Sequence, residues 1–406
     1  MPDLSRVSRR KFLAVGVAAA AAAGIVHLTK DHWLRLPQDS ISVRPSSPPT
    51  PTETRQSPSQ QSEPRDSSEA AIERIRDVKR VCKLTGYDSI NKTQNIGIYG
   101  TDLGIMTEFD DQVYFAFGDT FNADWRKVAP PNNFWRSNVL ARTRDFEASD
   151  GIIFDSWITD GNGKAKHILG SEKVPGSEHT VIPTAMTSVD KRLFIHYMSV
   201  RQWGEPGSWT TNYSGLAYSD DKGNSFSKDM KARWGGGSNF AEAAFAKTPS
   251  ENNDGTEDVL MYGTPAGRFG GAELAIVNEH DLLNKSRYKY FTGIENGKPK
   301  WSPNEVEAIT VIDKPVGEMS VQFNEFLNRW IILYKQALES NIVIRESKNP
   351  WGPWGYPHTL VHSGDVYGPF MHSRYFENKG ESIYFTLSSW GDYNVYLYRT
   401  SIVKRN

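Results

Sequence analysis

The sequence has almost no cysteine, almost no net charge and no long helical periodicity, and each shortage excludes a class of protein. Cys82 is the single cysteine among 406 residues, so no intramolecular disulfide can form and the core must supply the stability. The formal net charge of −1 argues against a nucleic-acid partner, which basic residues would hold by neutralising its phosphates. We therefore expect a domain stabilised by its core, with no nucleic acid among its partners.

Two adjacent arginines mark the N-terminal segment. Arg9 and Arg10 precede a bulky apolar pair, and an alanine-rich run occupies residues 14–26. This is the layout of a twin-arginine export signal, which we assign to residues 1–34. The run is shorter than the ~20 residues that span a bilayer comfortably, which favours a cleaved signal. No clear A-x-A cleavage site is visible, so an uncleaved membrane anchor stays open. We expect export to the cell wall, to a periplasm-like space or to the medium, with membrane contact only through this segment.

Proline, serine, threonine and glutamine dominate the next segment, residues 35–75. Such a composition buries too little apolar surface to offset the entropy of ordering, so a disordered linker is predicted. Two interpretations are open, a spacer through a cell wall and a plain disordered tail. Residues 70–78 are predicted to form a short helix that leads into a domain spanning residues 76–406.

Short apolar runs with a period of two recur through this domain, as in Val113–Phe117, Leu193–Tyr197 and Trp330–Tyr334. They indicate β-strands bounded by turn residues, and hence an all-β domain. The strands fall into five four-part units, whose unequal lengths fit propeller blades with variable loops. The third strands of the units begin near Leu140, Leu216, Leu274, Ile342 and Val395. A five-bladed β-propeller is predicted, with residues 78–84 closing the ring, and a β-sandwich is the alternative fold.

Two turns support the repeat. Ser219–Phe226 follows the pattern S-x-D-x-G-x-S-F, in which the Asp side chain satisfies turn amides and the Gly takes a left-handed conformation. Residues 346–354 occupy the same place in the fourth unit. We expect both turns to join the outer strands of their blades and to be structural.

In a propeller, the first strand of each blade starts at a central funnel and the second strand returns to the same face. Residues at those two positions should therefore meet in one pocket. The candidates are Asp102 and Asp119 of the first blade, His179 and Trp203 of the second, Arg268 of the third, Glu318 of the fourth, and Tyr367, His372 and Trp390 of the fifth. Glu242, on the third inner strand, either joins them or points to solvent.

Carboxylate pairs are what glycoside hydrolysis requires, one as acid and one as base or nucleophile. Crowding of like charges in a desolvated funnel raises one pKa and keeps that acid protonated, while aromatic rings stack on sugars. Other interpretations stay open: Asp102 in a turn, Asp119 as a loop cap, and the tryptophans as loop packing. The histidines could be structural, or could hold a calcium or a water cluster at the propeller axis.

Several motifs, in order, resemble a bacterial family long catalogued only as a domain of unknown function. The resemblance covers most of the domain, from about Gly86 onward. The motifs are Gly100–Gly104, Phe117–Phe121, Arg136–Ala141, Trp209–Ser214, Gly263–Arg268, Val316–Val321 and Trp390–Tyr396. That family includes endo-D-arabinanases, which act on D-arabinofuranose polymers of mycobacterial-type cell walls. The resemblance implies a five-bladed propeller and a carboxylate-based mechanism, with Asp102 and Asp119 as the strongest catalytic candidates and Glu318 as the third.

The sequence thus predicts an exported endo-D-arabinanase that cleaves α-D-arabinofuranosyl linkages of arabinogalactan or lipoarabinomannan and requires no cofactor. Sugar would be held by Arg268, Trp203, Tyr367, His372, Trp390 and His179. Two alternatives remain, a non-catalytic propeller that binds wall glycan and an exo-acting arabinofuranosidase. Metal dependence is not readable from the sequence.

Overall fold

The computed structural model describes residues 70–124, 127–128, 134–249 and 255–405. The export signal predicted for residues 1–34 and most of the predicted linker lie outside these residues. Short 3₁₀ helices occupy Thr93–Ile96, Glu279–Asp281, Lys285–Arg287, Glu305–Glu307 and Asn378–Gly380. Among the described residues, no helix has the length and apolarity needed to cross a membrane.

The strands in chain order are β1 (Ile72–Lys83), β2 (Leu103–Phe109), β3 (Gln112–Phe117), β4 (Thr120–Phe121), β5 (Trp135–Arg136), β6 (Val139–Thr143), β7 (Ser156–Trp157), β8 (Thr180–Val189), β9 (Arg192–Trp203), β10 (Trp209–Ser219), β11 (Ser227–Gly235), β12 (Glu242–Pro249), β13 (Glu257–Thr264), β14 (Ala272–Asn278), β15 (Lys289–Glu295), β16 (Lys298–Ser302), β17 (Thr310–Ile312), β18 (Met319–Asn324), β19 (Arg329–Gln336), β20 (Asn341–Ser347), β21 (His358–His362), β22 (Val366–Glu377), β23 (Ser382–Ser389) and β24 (Asn394–Lys404).

Five antiparallel sheets form the blades of a propeller, as the sequence predicts. Their strand orders are β2-β3-β6-β7, β8-β9-β10-β11, β12-β13-β14-β15-β16, β18-β19-β20-β21 and β22-β23-β24-β1, with β17 added to β14 in the third blade. The first strands β2, β8, β12, β18 and β22 contact one another around the ring. They are therefore the inner strands, and buried apolar side chains fill the spaces between neighbouring blades.

The five residues predicted to begin third strands all lie on the third strand of a blade, namely β6, β10, β14, β20 and β24. The two turns are also where the repeat places them. Asp221 Oδ1 accepts from the backbone N–H of Ser225 over 2.9 Å, and Gly223 has a φ of 81°. The turn between β20 and β21 contains the second motif.

The outer strand of the last blade comes from the start of the domain. β1 pairs with β24 from Ile72 opposite Lys404 to Lys83 opposite Tyr396, which closes the ring and leaves no unpaired edge on β24. The closure is the one predicted, but the helix predicted for residues 70–78 is wrong. Its apolar residues recur every third position, and β-bulges in the pairing bring residues three apart onto the same face of a strand.

Candidate active site

A pocket opens where the inner strands begin. Its walls are Asp102, Leu103, Asp119, Ile182, Trp203, Gly207, Trp209, Arg268, Glu318, Tyr367, Trp390 and Tyr393. Every blade contributes to it, from the start of a first strand or from the connection between the second and third strands. The convergence that the repeat predicts is therefore present.

An irregular backbone directs Asp102 into this pocket. The next residue, Leu103, has a φ of 72°, and Gly104 has a φ of 90°. The register between β2 and β3 shifts at this point, as in a β-bulge. Leu103 N donates to Ser388 Oγ over 2.7 Å, which ties the bulge to the fifth blade. Positive φ at a non-glycine residue is strained, and such strain concentrates at functional sites.

Gly118 makes room for the same carboxylate. A Cβ at this position would lie 2.3 Å from Asp102 Oδ1, closer than any real contact. The glycine in the motif Gly118-Asp119-Thr120 is thus required by the carboxylate of the preceding strand. The two aspartates are fixed by one hairpin, Asp102 before β2 and Asp119 after β3.

Asp102 keeps its proton to a much higher pH than an ordinary aspartate. Its side chain is buried, with 8% of the residue exposed, and Oδ2 accepts a hydrogen bond from Tyr367 over 2.9 Å. Burial raises its pKa from the usual 3.8 to about 7, and the negative charge of Asp119 contributes to the rise. The pKa is therefore in the range that suits general acid catalysis.

Asp119 is held by donors. Its Oδ1 accepts from Trp135 Nε1 and from Thr180 Oγ1, each over 2.7 Å. Burial raises its pKa, while the charge of Lys173 and the two hydrogen bonds oppose that rise. Donors aimed at a carboxylate favour its ionised form. The two aspartates therefore have unlike surroundings, and the stronger support for negative charge is at Asp119.

Arg268 and Glu318 form a buried ion pair beside the aspartates. Arg268 Nε lies 3.0 Å from both carboxylate oxygens of Glu318, and Nη2 also donates to Oε1. Each side chain is 9% exposed. Gly317 permits this approach, because a Cβ there would lie 3.1 Å from Arg268 Cγ.

Aromatic rings line the rest of the pocket. Tyr367 and Trp390 stack with their ring centroids 4.0 Å apart, and Trp203 meets Trp209 edge to face at 5.6 Å. The Arg268 guanidinium lies 5.0 Å from the Tyr367 ring centroid and 5.3 Å from that of Trp390. Indole and phenol faces around a polar floor are suited to a sugar ring.

Glu242 lies beside this site, although no motif singled it out. It begins β12, is 4% exposed, and its Oε1 has no hydrogen-bond partner among the described residues. Burial, together with the charge of Glu318, raises its pKa well above the usual value. The two glutamates line a chamber that also has Leu103, Ile182, Pro183, Thr184, Ala243, Gly317, Met319 and Phe370 in its walls. The interpretation of Glu242 as solvent-facing is wrong, since the first residue of an inner strand faces the axis.

The two predicted histidines do not line the pocket. His179 packs edge-on against Trp135, with their ring centroids 5.3 Å apart, one residue before the Thr180 that bonds Asp119. His372 lies further along β22, where its Nδ1 accepts from Arg374 N over 3.2 Å, and Arg374 pairs with Glu108 of β2. The expectation that His372 shares the pocket is wrong, because the strand has by then left the site.

Arg136 and Asn138 have structural roles. Arg136 Nη1 donates to Ala165 O over 2.7 Å, and Asn138 Nδ2 donates to Leu169 O and Val181 O over 2.9 and 2.8 Å. They fasten the first blade to its loops and to the second blade. Within the described part of the chain, no three His, Cys, Asp or Glu residues are grouped so as to hold a metal ion.

Comparison with known proteins gives matches over most of the chain. The family model described as a domain of unknown function (DUF4185) matches residues 88–399. Notoamide biosynthesis cluster protein J of Aspergillus sp. (strain MF297-2) is 30% identical over 312 residues, which are 72% of this chain and 80% of that relative.

Solved structures resemble the chain in fold. A candidate hydrolase from Bacteroides ovatus ATCC 8483 is 13% identical, with a TM-score of 0.52 over 84% of this chain and 97% of that one. The family 117 glycoside hydrolase Zg3597 of Zobellia galactanivorans is 11% identical, with a TM-score of 0.45 over 81% of this chain and 90% of that one. At these identities the likeness concerns the fold alone.

Proposed function

The chain belongs to the DUF4185 family, and from the pocket that its propeller builds we propose that it is a glycoside hydrolase with Asp102 and Asp119 as its catalytic pair. One observation carries the proposal. Two buried carboxyl groups of unlike surroundings lie in one aromatic-walled pocket. Burial raises both pKa values, but the charge of Lys173 and two hydrogen bonds oppose the rise at Asp119, so we assign the proton to Asp102 and the negative charge to Asp119. Glycosidic bond cleavage requires two such carboxyl groups, one protonated and one ionised.

Asp102 is the general acid in this account. Its proton passes to the glycosidic oxygen as the bond to the leaving sugar breaks, so that no alkoxide has to form. The hydrogen bond from Tyr367 orients the carboxyl group. The negative charge of Asp119 keeps the proton on Asp102 until the substrate receives it.

Asp119 is the base or the nucleophile. Trp135 and Thr180 hold one carboxylate oxygen in place. The carboxylate then either takes a proton from an attacking water or bonds to the anomeric carbon, and the separation of the two carboxyl groups in the bound state decides between the two routes.

Arg268 and Glu318 bind rather than transfer protons. Both carboxylate oxygens of Glu318 accept from the guanidinium of Arg268, so this carboxylate is engaged in the ion pair. The pair offers fixed donors and acceptors for sugar hydroxyls. Trp203, Tyr367 and Trp390 supply faces for stacking.

The proposed substrate is the α-D-arabinofuranosyl polymer of arabinogalactan or lipoarabinomannan, cut within the chain. The resemblance of the ordered motifs to endo-D-arabinanases supports this choice. A twin-arginine signal over residues 1–34 would deliver the folded enzyme to the wall that contains such a polymer.

A product profile tests the proposal. The full chain is incubated with purified arabinogalactan, with lipoarabinomannan and with a xylan as the unrelated glycan, and products are sized by mass spectrometry. A ladder of arabinose oligosaccharides from the first two alone is the expected result. Free arabinose as the first product would indicate exo action and refute the endo assignment. Saturable binding without products would refute the enzyme in favour of a glycan-binding propeller.

A further inference from the structure

A lysine outside the pocket is stacked on the indole that bonds Asp119. Lys173 Nζ lies 3.5 Å from the centroid of the Trp135 ring. Trp135 Nε1 is the group that donates to Asp119 Oδ1 over 2.7 Å. Lysine, indole and carboxylate thus form a continuous series, with the indole between the two charges.

The lysine is held in this position. Its Nζ donates to Ser137 Oγ over 2.7 Å, and Ser137 Oγ in turn lies 2.8 Å from Ser171 Oγ. The Trp135 ring is fixed from other directions by stacking on Phe121, with centroids 6.0 Å apart. Ordering a long lysine side chain over an indole costs conformational entropy, so this geometry indicates a function beyond solubility.

We propose that Lys173 is a positioning residue for Asp119, which acts through the indole of Trp135. The cation over the ring polarises the Nε1–H toward the carboxylate and fixes the ring plane, so that the hydrogen bond points at Oδ1. The inference deepens the proposed function, because it assigns the support of the base or nucleophile.

Electrostatic surroundings agree with this geometry. The charge of Lys173 is the largest influence that lowers the pKa of Asp119, and the charge of Asp119 is the largest that raises the pKa of Lys173. Burial dominates for Lys173 and lowers its pKa to about 8. The other titratable groups that act on the two residues or are acted on by them are Asp102, Glu178, His167, His179 and Tyr393.

An experiment that does not depend on activity tests the role. The indole Nε1–H resonance of Trp135 is assigned in ¹H–¹⁵N spectra with Trp135→Phe and followed against pH in an Asp102→Asn background. The part of the pH-dependent shift of this resonance that disappears on adding Asp119→Asn reports the ionisation of Asp119. Any shift that remains in the Asp119→Asn spectra belongs to other groups, such as His179.

Lys173→Met should move the midpoint of that change upward by about 1 pH unit, since an opposite charge this close typically lowers a carboxyl pKa by 1–3 units. Lys173→Arg should restore the wild-type midpoint, and Lys191→Met, an exposed lysine at the β8–β9 turn, should leave it unmoved. Lys173→Gln, which keeps a donor for Ser137, should behave like Lys173→Met and serves if the methionine variant does not fold. An unmoved midpoint in both variants would overturn the proposal.

Turnover of arabinan gives the second readout. With the native Asp102 present, Lys173→Met should shift the acidic limb of kcat/KM upward by the same amount with little change in KM. A chain that hydrolyses no glycan but shows the shifted indole titration would refute the proposed function and leave the positioning role standing.

Discussion

Tyr367 of the fifth blade donates its phenolic proton to Asp102 of the first blade over 2.9 Å, while its ring stacks on Trp390 at 4.0 Å. One side chain therefore both orients the proposed acid and forms part of the proposed sugar-binding wall. The bond therefore joins the inner strand of the last blade to the first blade.

Removal of that phenol separates its two roles. Tyr367→Phe keeps the stack on Trp390 and removes the hydrogen bond. Because that bond lowers the pKa of Asp102, its removal should raise the pKa. We expect kcat to fall about tenfold, the cost of one hydrogen bond to an ionisable group, and the alkaline limb of the pH profile to move upward. Tyr375→Phe, which removes a bond to Asp145 O outside the pocket, is the matched control. An unchanged profile in Tyr367→Phe would contradict the assignment of the acid.

The pH dependence of the native enzyme follows from the same residue. Asp102 must carry a proton, and its pKa is raised to about 7. We expect kcat/KM on arabinan to fall as the pH rises through about 7, with the apparent pKa belonging to the coupled pair. Initial rates between pH 4 and pH 9 measure it. A profile that is flat to pH 9 would mean that another group donates the proton.

Arg268 and Glu318 should depend on each other for the stability of the fold. Arg268→Met leaves a buried carboxylate unpaired and should cost about 3–5 kcal/mol of unfolding free energy. The double variant Arg268→Met, Glu318→Leu should recover part of that loss. Urea unfolding measures the unfolding free energies of the single and the double variant. The control is Arg192→Met, which breaks an exposed pair with Asp220 and should cost less than about 1 kcal/mol. Equal losses in the single and double variants would argue against a coupled pair.

Glu242 should destabilise the folded state at alkaline pH. Its pKa is raised on folding, so its contribution is most favourable below the unfolded pKa and is lost as the pH rises through the folded pKa. Glu242→Gln removes the buried charge, and we expect its Tm to exceed that of the wild type by more at pH 8 than at pH 5. Differential scanning calorimetry measures it, with exposed Glu325→Gln as the control. A rise in Tm that is the same at pH 5 and pH 8 would show that ionisation of Glu242 does not cause the destabilisation.

Much of the fold was predictable because blades repeat. Period-two strands and turns such as Ser219–Phe226 define the blades without any knowledge of their packing. The repeat also placed Asp102 and Asp119 correctly, since the ends of one hairpin must meet at the funnel. The helix predicted for residues 70–78 was wrong, because bulges gave the apolar residues of the closing strand β1 a spacing close to that of a helix.

Contacts between distant segments were not predictable. Trp135 reaches Asp119 from a two-stranded ribbon outside the four-strand repeat, and Lys173 reaches Trp135 from a loop without regular structure. Glu242 lies among alanines with no motif around it, so its burial follows only from the register of β12 with β13. His372 was predicted to line the pocket because it lies close to Tyr367 in sequence. It lies outside the pocket because it is further along the same strand, β22.

The central claim is that Asp102 and Asp119 hydrolyse glycosidic bonds, and the release of reducing ends from purified arabinogalactan tests it most directly. The wild type is compared with Asp102→Asn, with Asp119→Asn and with Asp111→Asn, which makes the same change at the exposed far end of the same hairpin. We predict that the wild type and Asp111→Asn release reducing ends at similar rates, and that each site variant is slower by at least about 100-fold. Full activity in both site variants, or none in the wild type, would contradict the account.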